Sequence, residues 1–386
     1  MGLAAAGLYV ALVCLPFTAA PLGSGLIEDA QAVIPWVVSL GGQAKVKIGT
    51  NSAGIRAALA TRSLKAGEVV VHVPANLTIT LATVSDHTLA ENARLLAHWR
   101  AKNRGWWDER APFWRSLPPP GSVWRELTLT DDQLRLLQDE RLAAFAREQR
   151  DEAEAVYYGT AQLAYPLRAL KQELPGTDVT LPVFKHLAAV IGSYCWYSPR
   201  RNSTGLSRVL VPLMDMVNHR GVGHNMRVDE NDDGSITARA LRDIAAGEEV
   251  THLYGWEMER PDRALFRSGF VAPTAMPPLC GIDYPGGDPD TFVYEPELGH
   301  GPGEPLATRG ELARLQAVLA GFPTTEAQDA KILAGKKLAA RHRLIIEFRR
   351  MRKRGLRLAV ARLRALLDEA DADHARLAEH HSVRAP

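Results

Sequence analysis

Two short segments constrain this chain more than anything else in it. VPLMDMVNHR, Val211 to Arg220, is an apolar run that ends in an Asn-His pair. AAGEEVTHLYG, Ala245 to Gly255, opens on a Gly-Glu turn and ends in Tyr-Gly. From Asn218 to Tyr254 the separation is 254 − 218 = 36 positions. Taken alone, Asn218-His219 reads as the end of a strand, its side chains satisfying turn backbone. A lone tyrosine at a strand end reads as an amphipathic core residue with a hydrogen-bonded tip. The two segments in this order, at this spacing, favour a shared site instead.

Composition narrows the classes. With 386 residues, two or three domains with apolar cores are expected. A formal charge of +2 gives no whole-chain pointer to nucleic acid. Cys14, Cys195 and Cys280 form no CxxC, which excludes a disulfide scaffold and a cysteine-based zinc cluster. Met1 to Ala20 is apolar around Leu8–Leu15 and then turns to small residues, as a secretory leader would, but no Lys or Arg precedes the apolar core. Residues 1–22 are therefore expected to be a targeting segment, secretory or plastid-type, the alternatives being a cytoplasmic or nuclear chain with a buried first helix or a misplaced start. No stable membrane span is expected.

Periodicity divides the rest. Ala44–Pro74 reads as strand, turn and strand, with β-branched Val69, Val70 and Val71 ended by Pro74. Helical patterns follow at Asp86–Arg104, Thr130–Tyr158 and Leu181–Trp196. Thr130 stands as a cap before two acids, and SLPPPG (Ser116–Gly121) breaks the helical run. Strands return at Val209–Pro212, Met226–Val228, Ser235–Leu241 and Glu249–Leu253, with a hairpin turn at NDDG, Asn231–Gly234. After Pro273 the chain reads as loop to about Gly303, then as helix.

The paired segments resemble the two halves of a SET-domain active site. The order strand-rich, helical insert, strand-rich, helical tail is similar to the branch holding the Rubisco large-subunit lysine methyltransferases and the actin-histidine methyltransferase. ALATRSLKAGEVVVHVP (Ala58–Pro74), APFWRSLP (Ala111–Pro118) and FRSGFVAP (Phe266–Pro273) carry the likeness, and KKLAARHRLIIEFRRMRKRG is similar to the branch's helical tail. The resemblance implies an α+β fold: a β-rich core of several short sheets with a pseudoknot over 26–272, an α-helical insertion at about 85–200, and a helical substrate-binding domain over 280–386. It implies a methyl transfer from S-adenosylmethionine to a protein side-chain nitrogen, lysine first. The alternatives are histidine as acceptor, or a catalytically weak protein acting as a binding module. Tyr254 would line the transfer pore and orient the acceptor. The Asn218 side chain and the His219 backbone would hold the cofactor, with Arg56 and Ala58 nearest its amino-acid end. No metal is implied. Asp215 is expected to bond local backbone, and Glu248 and Glu249 to face solvent.

Two departures from that pattern stand out. The expected Gly-x-Gly turn reads AGIRAALA, Ala53–Ala60, with only Gly54 kept. Where the branch has Ser-Arg beside the cofactor's carboxylate, this chain has Ser193-Tyr194; Arg200, Arg201 or Arg208 are the candidate substitutes, and weaker cofactor binding is expected. From Lys331 to Arg364 the only acid is Glu347. That stretch reads either as a docking face for an acidic protein or as a solvated helix face. Nucleic acid is unlike it, because interleaved aromatics are missing.

Overall fold

The computed structural model describes residues 24–83, 88–161, 179–199, 206–255, 260–271, 279–283, 305–335 and 337–382. The apolar segment Met1–Ala20, the candidates Arg200 and Arg201, and most of the stretch expected as loop after Pro273 lie outside them.

The described residues begin with a helix the periodicity did not announce, α1 (Ser24–Ser39). Short strands follow: β1 (Gln43–Ala44), β2 (Val46–Thr50), β3 (Arg56–Ala60), β4 (Val69–Val73) and β5 (Ile79–Thr83). β2 and β3 form a hairpin in register Val46↔Ala60 to Thr50↔Arg56. Its turn needs one left-handed residue, and Gly54 supplies it at φ +74°.

The helical insertion holds α2 (Leu89–Lys102), α3 (Arg104–Glu109), α4 (Ala111–Ser116), α5 (Asp131–Leu136), α6 (Glu140–Tyr158) and α7 (Leu181–Tyr194). The expected Thr130–Tyr158 helix is two helices. Thr130 caps the first, in a reciprocal capping box with Gln133. Gln138, at φ +55°, breaks the chain, and Asp139 caps the second by accepting from Leu142 N. α7 ends two residues early, because Cys195 turns to extended backbone and starts a strand.

That strand is β6 (Cys195–Ser198); β7 (Ser207–Leu210), β8 (Asn218–His219), β9 (Met226–Glu230), β10 (Ile236–Ala240) and β11 (Thr251–His252) complete the set. Among the described residues four sheets result, ordered β1-β4-β10-β9, β11-β8, β2-β3 and β5-β7-β6. The hairpin expected at NDDG joins β9 to β10, Gly234 sitting at φ +80°. An apolar core including Val46, Val71, Val211, Leu213, Met226 and Val250 lies among the sheets. The chain closes with α8 (Pro261–Arg263), α9 (Pro305–Ala320), α10 (Glu326–Gly335) and the 43-residue α11 (Ala340–Ser382). No helix among the described residues is long and apolar enough to cross a membrane.

Part of the basic tail faces inward, which neither sequence reading anticipated, while Arg350, Arg357 and Arg364 stay exposed. Arg349, Arg352 and Lys353, spaced i, i+3, i+4 on α11, are buried against Asp329 of α10, Asp283, and Asp139 of the insertion.

Candidate active site

β8 and β11 run parallel, Thr251 opposite Asn218 and His252 opposite His219. Asn225 clasps β11 from its other side: its amide N–H donates to Thr251 O (3.2 Å), its Oδ1 accepts from Thr251 N (2.8 Å), and its Nδ2 donates to Glu249 O (2.9 Å). The returning segment is thus held within the loop 218–225. That enclosure brings Tyr254 onto the Asn-His pair, although 36 positions separate it from Asn218.

Tyr254 donates its hydroxyl hydrogen to Val217 O (2.8 Å), and its amide N–H donates to His219 Nδ1 (3.1 Å). Although 36% of the residue is exposed, burial of the hydroxyl pushes the phenol well above its usual range, and Tyr194 adds to the effect. The phenol stays protonated. Its donor is spent on Val217, so the oxygen can only accept from a ligand. Burial lowers His219 to about 4, leaving a neutral ring whose Nδ1 acts as acceptor. In the parallel ladder the Arg220 N–H donates to His252 O (3.0 Å). Alternation along the strand then turns His219's own N–H and C=O away from β11, toward the open side.

Asn218 donates both amide hydrogens, to Arg56 O (2.8 Å) and to Glu249 Oε1 (2.8 Å). Two acceptors facing one nitrogen fix the amide orientation, and only Oδ1 remains for a ligand. Glu249 also accepts from Asn51 Nδ2 (3.3 and 3.2 Å). It is therefore not a solvent-facing acid. It ties the β2–β3 turn to β8, because two amide donors from distant strands need one shared acceptor. Glu248 likewise accepts from Asn225 and Arg242. Neither role was legible in a Gly-Glu-Glu turn.

Arg56 and Ala58 part company. Ala58 is fully buried and its carbonyl accepts from Val250 N (2.9 Å). The Arg56 guanidinium, 7% exposed, donates to Ser116 O (2.8 Å) in the insertion and stands beside Tyr194 and Asp215. The cation next to Tyr194 thus comes from β3. Arg208 instead lies toward Cys195 and Tyr197.

A cavity of about 190 Å³ opens here, lined among others by Tyr194, Trp196, Tyr197, Asp215, His252 and Tyr254. Trp196 stacks on His252 with ring centroids 4.7 Å apart and planes at 19°. Burial lowers His252 to about 4, so this wall is flat and neutral. Arg125 holds the rim, donating to Gly192 O and Arg267 O (3.2 Å each). A Cβ on Gly192 would lie 2.7 Å from the Arg125 Cζ, so only glycine admits the guanidinium. Within the site Asp215 is 8% exposed, and neither carboxylate oxygen has a hydrogen-bond partner among the described residues. The local amides of Asp215 and Leu213 do act on the carboxylate, as expected, but without hydrogen-bond geometry.

The SET domain profile matches residues 56–255, just over half of the chain, and the chain belongs to the SET domain family. The fold agrees with solved structures of that family. The SET domain of LSMT bound to lysine and AdoHcy is 17% identical, with 89% of this chain and 93% of that one covered, at a TM-score of 0.61. Rubisco LSMT bound to AdoMet is 16% identical with the same coverage, at 0.60. No curated protein sequence matches the chain. The α+β architecture of short sheets, helical insertion and helical tail is therefore that of the LSMT branch.

Proposed function

We propose that the chain is an S-adenosylmethionine-dependent protein methyltransferase whose acceptor is a lysine side chain. The observation that carries this reading is the enclosure of β11 by the 218–225 loop, which sets the Asn218 side chain and the His219 backbone beside Tyr254, itself on the wall of an aromatic cavity. The neighbouring LSMT structures hold AdoMet, AdoHcy and lysine.

The donor set fits such a cofactor. A peptide unit offering one N–H and one C=O, as at His219, matches an adenine edge. The Asn218 Oδ1 can accept from an ammonium, and Arg56 stands by for an anionic end. When bound, the cofactor supplies a methyl group activated by positive sulfur. The protein's part is positional. Tyr254 accepts from the acceptor nitrogen and aligns it. Being protonated, it is not the base, and the ammonium must lose its proton before attack, since only the free amine carries a lone pair. Trp196 and His252 wall the pocket and exclude water. Arg56 stands in for the cation missing at Tyr194, buried and already bonded to Ser116 O, which supports weaker cofactor binding than a freely reaching arginine gives.

We assign the protein substrate's docking to the helical region 280–386. Once Arg349, Arg352 and Lys353 are buried, Arg350, Arg357 and Arg364 remain exposed on α11 and suit an acidic protein surface. Isothermal titration of S-adenosylmethionine into the chain lacking Met1–Ala20 tests the cofactor site. Saturable binding removed by Asn218→Ala supports it. No binding at millimolar cofactor refutes it.

A further inference from the structure

Asp215 is the acid among the cavity's lining residues, and the methyl-transfer reading leaves it unused. It sits in the 3₁₀ turn Met214–Met216, held there by Leu213, a buried non-glycine residue at φ +70°. Such a backbone persists only where its surroundings enforce it. The turn presents the carboxylate to the cavity rather than to solvent. An ionised carboxylate removed from water without a partner is costly, and buried acids are ordinarily paired or bonded. Here burial dominates and pushes Asp215 up to about 6, against the pull of Arg56 and of the Asp215 and Leu213 amides. Arg56 comes close enough to exert that pull but directs a donor to Ser116 O. Arg267, which lines the cavity, lies over the Tyr197 ring at 5.6 Å, and His252 is neutral.

The remaining walls select the sign of the ligand. Tyr194, Trp196, Tyr197 and Tyr254 line the same space, and aromatic faces attract cations. A neutral ligand would leave the carboxylate unpaired, and an anion would be repelled. We infer that Asp215 is the counter-ion of this cavity, its carboxylate pairing with a sulfonium or alkylammonium group that enters between Tyr194, Trp196 and Tyr254. The identity of that group rests on the methyl-transfer reading; the pairing itself does not.

The test uses the full chain, its isosteric Asp215→Asn variant and the charge-conserving Asp215→Glu. Thermal unfolding without ligand comes first. Removing an unpaired carboxylate raises the Tm at pH 8, whereas removing a structural acid lowers it. Isothermal titration follows with S-adenosylmethionine, with S-adenosylhomocysteine, which lacks the sulfonium charge, and with n-butylammonium chloride, alone and with S-adenosylhomocysteine present. If the cation is the sulfonium, Asp215→Asn weakens S-adenosylmethionine about tenfold or more and leaves S-adenosylhomocysteine within about twofold. If it is the alkylammonium, both nucleosides are unaffected and n-butylammonium weakens about tenfold, Asp215→Glu retaining part of the affinity. Affinities unchanged for all three ligands, or a lowered Tm, overturn the assignment. A wild-type chain that binds neither nucleoside refutes the methyl-transfer reading, while the Tm and n-butylammonium alone still decide the counter-ion.

Discussion

The helical tail and the cavity under Tyr254 both bury charge, and they treat it in opposite ways. In the tail, Asp329 accepts from Arg349 Nη2 (2.7 Å) and Lys353 Nζ (2.6 Å), while Asp283 accepts from Arg352 Nη2 (2.7 Å). Lys353 also donates to Gln138 Oε1 and Thr324 Oγ1, Arg349 to Leu136 O, and Arg352 to Asp139. None of these buried polar atoms lacks a partner. At the cavity, both oxygens of Asp215 lack one. A satisfied network fixes how the tail seats on the insertion. An unsatisfied one costs stability unless a ligand completes it. The contrast separates a joint from a site without reference to any relative.

The largest test breaks the joint. Asp329→Ala leaves Arg349 and Lys353 buried without their shared carboxylate. A loss of about 3–5 kcal/mol is expected in denaturant unfolding.

Next comes the pH dependence of Asp215. Its folded pKa, about 6, lies above the ordinary carboxylate value. Between about pH 4 and 6 the folded chain keeps a proton that the unfolded chain has lost, so this group's contribution to stability falls as pH rises through that window and stays low above it. A shift of this size is worth about 3 kcal/mol. His186, His219 and His252, each lowered to about 4, act with the opposite sign, because there the unfolded chain holds the extra proton. The difference between wild type and Asp215→Asn isolates the carboxylate. The variant should gain about 3 kcal/mol relative to wild type between pH 4 and 7 in urea titrations.

Tyr254→Phe keeps the ring and removes the oxygen. About a hundredfold loss of turnover is expected, with cofactor affinity within a few-fold, measured by labelled methyl transfer and calorimetry. The smallest effect comes from an exposed pair in the same tail. Arg309 and Asp371 meet at 2.7 Å but are half exposed or more, and Arg309→Ala should cost under about 1 kcal/mol. A cost as large as that of Asp329→Ala would erase the distinction drawn from burial.

Much of the site was legible in the linear chain. Asn218, His219 and Tyr254 stand at strand ends, and their order and spacing brought them together before any coordinates did. The Thr130 cap, the Asn231–Gly234 hairpin and the stop at Pro74 are local, and the structure keeps them. The residues missed were those whose partners lie far along the chain. Glu249 looks like a turn acid until Asn51 and Asn218 converge on it. Asn225 has no signal of its own until β11 passes beside it. Arg56 came from the glycine-poor turn, but nothing in that turn says that its guanidinium reaches Ser116.

What the sequence determined alone was most of the succession of strands and helices, α1 and the break at Gln138 excepted, and the three polar residues that end the paired strands, because capping, turn chemistry and apolar periodicity act over a few neighbouring positions. What only the tertiary structure decided was the fate of each charge. Arg349, Arg352 and Lys353 read the same as Arg350 and Arg357 along the helix, and Asp215 reads the same as Asp329. Which of them is buried, and which of the buried ones finds a partner, depends on the desolvation and pairing set by other elements, from 20 to 215 positions away along the chain.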